Sequence, residues 1–84
     1  MAAVRRKVLG ASLPARYGWV DIGIEVYTKA PVQIPWGTVI PKNAHGRVVQ
    51  IDPHNSKVDV KWDLMYPRYT VLPLSYFGSQ VYRR

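Results

Sequence analysis

The stretch Gly46-Arg47-Val48-Val49-Gln50-Ile51-Asp52-Pro53-His54-Asn55-Ser56-Lys57-Val58-Asp59-Val60-Lys61-Trp62 decides the fold. In its second half Val58, Val60 and Trp62 alternate with Lys57, Asp59 and Lys61, a period of two that sends apolar side chains to one face of a strand and charges to the other. Its first half is rich in β-branched residues. The intervening Pro53-His54-Asn55-Ser56 has turn chemistry, so the whole reads as a β-hairpin. Val48 and Ile51 both face inward only if the first strand carries a bulge or strong coil, because their spacing is odd.

Working outward, Val20, Ile22, Ile24 and Val26 alternate with Asp21, Gly23, Glu25 and Tyr27, which predicts another strand. Tyr69-Thr70-Val71-Leu72 and Gln80-Val81-Tyr82 predict two more, with Pro73-Leu74-Ser75-Tyr76-Phe77 between them as one helical turn. Seven Pro and six Gly are spread along the 84 residues, leaving room for short strands but not for long helices. The expectation is an all-β chain: a single small five-stranded, SH3-like antiparallel barrel over residues 20–82, preceded by an irregular basic arm at 1–19 and followed by a basic tail at 83–84.

The run Val39-Ile40-Pro41-Lys42-Asn43-Ala44-His45-Gly46-Arg47-Val48-Val49-Gln50-Ile51-Asp52, with its hairpin and the Val-alternating strand after it, resembles the KOW group of small SH3-like barrels. Gly46 stands where that group has its signature glycine, at a strand start that needs positive φ or a close approach of the backbone. The Val71-Leu72-Pro73-Leu74 run is similar to the helical turn that precedes the last strand in SH3-like folds. The resemblance covers about Glu25 to Tyr82. It implies a role in ribosomal, transcription or translation assemblies, with loops that touch RNA or protein.

Composition limits what such a chain can do. A domain of this length buries only about 60–65% of its unfolded surface, which excludes large catalytic architectures. Without cysteine there is no disulfide framework, thiolate metal site or Cys nucleophile. No apolar run reaches the roughly 20 residues of a membrane-spanning helix. His45 and His54, the two histidines, have no further ligand at metal-site spacing, and Asp21, Glu25, Asp59 and Asp63 fall singly on strands or at their ends. No nucleophile–base pair is legible. One enzyme family of this size and fold, the plasmid-type dihydrofolate reductases, carries a Val-Gln-Ile-Tyr motif in a late strand, where this chain reads Tyr69-Thr70-Val71-Leu72. The chain therefore reads as non-enzymatic, with no cofactor, no metal and no small-molecule substrate.

Charge points elsewhere. Twelve Lys and Arg against five Asp and Glu give a formal net charge of +7. Between Asp21 and Tyr82, however, six basic residues face five acidic ones, so the excess sits in Arg5, Arg6, Lys7 and Arg16 at one end and Arg83 and Arg84 at the other. The expectation is a non-catalytic binding or structural module associated with RNA or a ribonucleoprotein. Arg5, Arg6, Lys7, Arg16, Arg83 and Arg84 then meet phosphates from the ends, and Lys42, Arg47 and Arg68 from loops. Trp36, in the loop Pro31-Val32-Gln33-Ile34-Pro35-Trp36-Gly37, outside any alternating strand, and Tyr66, in Tyr66-Pro67-Arg68-Tyr69, are candidate stacking aromatics. Trp36 also reads as a lid over one end of the barrel. Trp62, in phase with Val58 and Val60, reads as core. The alternative is an accessory structural subunit of a large protein or membrane-associated complex, or a protein- or peptide-binding SH3-like module. The expected location is intracellular, and an acid-free basic N-terminus is equally the composition of an organellar import sequence.

Overall fold

The computed structural model describes residues 13–35 and 37–84. Among them there are seven strands and no α-helix: β1 (Glu25–Thr28), β2 (Val32–Gln33), β3 (Val39–Ile40), β4 (His45–Asp52), β5 (Lys57–Trp62), β6 (Tyr69–Pro73) and β7 (Val81–Arg83). Single 3-10 turns occupy Ala15–Tyr17 and Leu74–Tyr76. Five strands form one antiparallel sheet in the order β6-β5-β4-β1-β7, and β2 and β3 make a separate hairpin.

The central hairpin forms as its alternation requires. Val58, Val60 and Trp62 are buried while Lys57, Asp59 and Lys61 lie on the opposite face. The register with β4 runs Arg47↔Lys61, Val48↔Val60, then Gln50↔Asp59 and Ile51↔Val58, so a bulge falls at Val49. That extra residue restores the phase: Val48 is fully buried and Ile51 packs against the core from the same side. At the turn, Asp52 accepts hydrogen bonds from the Asn55 side-chain amide at 2.8 Å and the Asn55 N–H at 3.3 Å. These bonds, the side-chain one foremost, hold the Asp52 carboxyl below its ordinary range.

Gly46 owes its place to close approach and not to positive φ. A Cβ built there meets Trp62 Cε3 at 2.7 Å and Val60 Cγ1 at 2.8 Å. The Trp62 ring therefore lies directly on the β4 backbone. It is locked from its other end by an N–H···O bond of 2.7 Å from Nε1 to Thr70 Oγ1 on β6. Thr28 is likewise buried, and both functions of its hydroxyl are used: it donates to the Pro41 carbonyl at 2.7 Å and accepts from the Ala44 N–H at 3.0 Å.

Three expectations are corrected. The strand over Val20–Tyr27 starts only at Glu25, because Asp21–Ile24 is a turn. Gly23 has φ 93°, the Ile24 N–H reaches the Asp21 carbonyl at 3.2 Å, and the Asp21 carboxylate caps the Ile22 N–H at 2.8 Å. Ile22, expected inside, is consequently 57% exposed. The segment around Ile34 is no simple loop: Val32 pairs with Ile40 and Gln33 with Val39, burying Val32, Ile34 and Ile40. Lastly, the barrel is not closed. The edge strands β6 and β7 do not pair; the chain passes from one to the other through the 3-10 turn at Leu74–Tyr76 and a turn in which the Gly78 N–H bonds the Val81 carbonyl at 2.7 Å. A parallel bridge Phe77↔Val81 lies beside β7, where barrel closure would need β6.

Candidate nucleic-acid interface

The five-stranded sheet has one face turned to the core and one turned to solvent, and register alone assembles the solvent face. Tyr69 on β6 is opposite Lys61 on β5, Lys61 is opposite Arg47 on β4, and Arg47 is opposite Glu25 on β1. Just past β7, the Arg84 N–H bonds the Glu25 carbonyl at 2.9 Å, which places Arg84 next in line. Tyr69, Lys61, Arg47, Glu25 and Arg84 thus form one row across all five strands, about 19 Å long at the usual strand spacing. A second row carries His45, Tyr27 and Tyr82, where Asp63 bonds the His45 carbonyl through its N–H at 2.8 Å.

Glu25 is the hinge of the charge distribution. Its carboxylate accepts from Arg47 at 3.1 Å and from Arg84 at 3.3 Å, so one anion is shared by two exposed guanidiniums and a positive charge is left over. Lys61 sits with Nζ 5.9 Å from the Tyr69 ring centroid. Glu25, Arg47, Lys61 and Arg84, together with Arg68, His45, Asp63 and Leu64, line a concavity of about 400 Å³ on the outer face. Four permanent cations, Arg47, Lys61, Arg68 and Arg84, face two carboxylates, Glu25 and Asp63. Tyr69, beside Lys61, is 59% exposed, and Tyr66 and Met65, in the loop between Leu64 and Arg68, are 78% and 90% exposed.

Of the residues expected to bind, Arg47, Arg68 and Arg84 are brought together here, Arg47 from within β4 and not from a loop as expected, because it pairs with Glu25 on one side and Lys61 on the other; Tyr66 stands in the loop before Arg68. The others are dispersed. Arg83 pairs opposite Val26 and so leaves β7 on the other face from Arg84. Lys42 is exposed in the turn before β4, and Arg16 lies over the Tyr17 ring at 5.0 Å. The expected contacts of Arg5, Arg6, Lys7 and Trp36 lie outside the described residues. Lys61 and His45 join the site through register. The outward phase of Lys57, Asp59 and Lys61 marked Lys61 as a surface residue, but its cross-strand neighbours were not legible.

Lys29 and the Tyr27–Tyr82 pair extend the face beyond the concavity: the rings are 5.9 Å apart and Lys29 Nζ is 4.2 Å from the Tyr82 centroid. Asp59 is the face's internal acid. Burial between Gln50 and Val71 raises its pKa, its Oδ1 is buried without a partner among the described residues, and the Val60 N–H only partly offsets this. Among the described residues no group of three or more His, Asp and Glu is placed to hold a metal ion, and no helix is long and apolar enough to cross a membrane. Set against known proteins, the chain matches no family model, no curated protein and no solved structure.

Proposed function

We propose that this protein is a non-catalytic binding module that holds the backbone of single-stranded RNA, free or in a ribonucleoprotein, on the outer face of its five-stranded sheet. The observation that carries the reading is the convergence of Arg47, Lys61, Arg68 and Arg84 on one concavity, with exposed Tyr69 beside Lys61 and exposed Tyr66 in the loop that leads to Arg68. Cations in a row neutralise successive phosphates and release counterions, while rings beside them offer stacking surfaces to unpaired bases, worth about 1–3 kcal/mol each. The basic ends add to this face. The 3-10 turn at Leu74–Tyr76, between β6 and the last strand, supports the SH3-like resemblance of the sheet.

The test is a titration with a single-stranded RNA oligomer and with duplex DNA at two or more salt concentrations. Four phosphate contacts give log K against log salt a slope of about −3 on a single strand, and basic ends steepen it. Lys61→Gln with Arg68→Gln flattens that slope by roughly 1.4 if both contact phosphate. Absent binding at low salt, or binding indifferent to salt, refutes the reading.

A further inference from the structure

The sheet has two edges, and they are treated differently. At β7 the chain covers its own edge, through the Gly78 N–H to the Val81 carbonyl and the bridge Phe77↔Val81. At β6 it does not. The Trp62 N–H bonds the Arg68 carbonyl at 2.6 Å and the Leu74 N–H bonds the Ser56 carbonyl at 2.8 Å, which fixes the even-numbered residues of β6 as those bonded to β5. The N–H and C=O of Tyr69 and Val71, and the C=O of Pro73, therefore point away from the sheet, and among the described residues nothing meets them. The side chains of Tyr69 and Val71 are exposed as well. An open, apolar edge of this kind is a template for another strand.

We infer that the free edge of β6 receives an extended, acidic segment of a partner protein as an added strand. Charge identifies the occupant. Arg68 precedes the edge, Lys61 lies beside Tyr69, and Arg47 lies one strand further in. Beside Val71, by contrast, the neighbour on β5 is Asp59. The inserted segment thus places acidic side chains at the Tyr69 end and an uncharged, β-branched residue two positions away, next to Val71. A second copy of this chain brings cations to cations, at +7 each. A sugar–phosphate backbone presents no alternating N–H and C=O groups at strand spacing to match those of Tyr69 and Val71. This surface adjoins the proposed RNA face and stands whether or not RNA binds there.

Amide hydrogen exchange followed by NMR on the full chain tests it, with the peptide Glu-Thr-Glu-Thr-Val-Thr-Val as probe. In the free protein the Tyr69 and Val71 amides exchange fast while those of Thr70 and Leu72 are protected. Saturating peptide slows exchange at Tyr69 and Val71 at least tenfold, and a peptide with Lys in place of Glu binds at least tenfold more weakly. Val71→Pro removes an outward N–H that the sheet does not use. It weakens the peptide at least tenfold while leaving Thr70 and Leu72 protected and RNA affinity within twofold. Unchanged exchange at Tyr69 and Val71 under saturating peptide overturns the inference. So does protection that grows with protein concentration alone, equal protection by an RNA oligomer, or undiminished peptide binding by Val71→Pro. If that variant does not fold, the wild-type exchange data decide.

Discussion

Gly46→Ala isolates the contact on which the central hairpin is built. The new methyl carbon would stand 2.7 Å from Trp62 Cε3, 2.8 Å from Val60 Cγ1 and 3.0 Å from the Lys61 carbonyl oxygen. Carbon atoms pack best at about 3.5–4.0 Å, so ring and valine must each retreat by roughly 1 Å. Neither has room. Val60 is fully buried, Trp62 is 1% exposed, and the indole is tied to Thr70 at 2.7 Å, so retreat stretches that bond or shifts β6. Overpacking of this kind costs about 1–3 kcal/mol. The reduced freedom of the unfolded alanine chain returns only about 0.4–1 kcal/mol. A net loss of about 1–2 kcal/mol lowers Tm by roughly 5–15 °C in a domain of this size. Urea and thermal unfolding followed by circular dichroism measure both quantities. In a Val60→Ala background one of the two carbon clashes is gone, and the cost of Gly46→Ala falls by about 0.5–1 kcal/mol. A Tm within about 2 °C of wild type, or above it, refutes the account of Gly46 as a close-approach glycine.

Three further outcomes follow from single contacts. Thr70→Val leaves the buried Trp62 N–H without an acceptor and costs about 1–3 kcal/mol in urea unfolding, while Thr70→Ser retains most of the stability; equal losses for the two would place the effect in methyl packing instead. Asp59→Asn raises stability at neutral pH. Burial lifts the folded-state pKa of Asp59, so between the ordinary aspartate range and that raised value the folded state holds a proton the unfolded chain has released, and stability falls as pH rises. The variant's advantage therefore shrinks as pH is lowered through this window, and an advantage that persists below the ordinary aspartate range contradicts the assignment. Glu25→Gln breaks two exposed ion pairs and changes stability by no more than about 1 kcal/mol. It frees Arg47 and Arg84, so affinity for single-stranded RNA rises several-fold in the same titration; unchanged affinity would remove those arginines from the interface.

Local periodicity was sufficient wherever a strand is regular. Lys57 to Trp62 could be read from its own alternation, and the odd spacing of Val48 and Ile51 called for a bulge or strong coil, of which the register shows the bulge, at Val49. The same rule misread Val20 to Ile24, because Asp21 and Gly23 fit a polar strand face and a tight turn equally well; only the Ile24 to Asp21 hydrogen bond and the positive φ of Gly23 separate the two. Val32–Gln33 and Val39–Ile40 were hidden by Pro31, Pro35 and Gly37, since strands of two residues have no period to detect.

The candidate site divides along the same line. Readable from the residues alone were an all-β chain with an antiparallel central hairpin, Trp62 on the inside, and most of the excess charge at the ends. These follow from the order of residues along one strand or from counting. Strand pairing in the folded chain was needed to show that Lys61, Arg47, Glu25 and Arg84 stand in one row, that Arg83 leaves by the other face, and that the sheet stays open with β6 at its edge. Neighbours across strands are set by register, and register depends on where bulges and turns insert residues, which no single strand encodes.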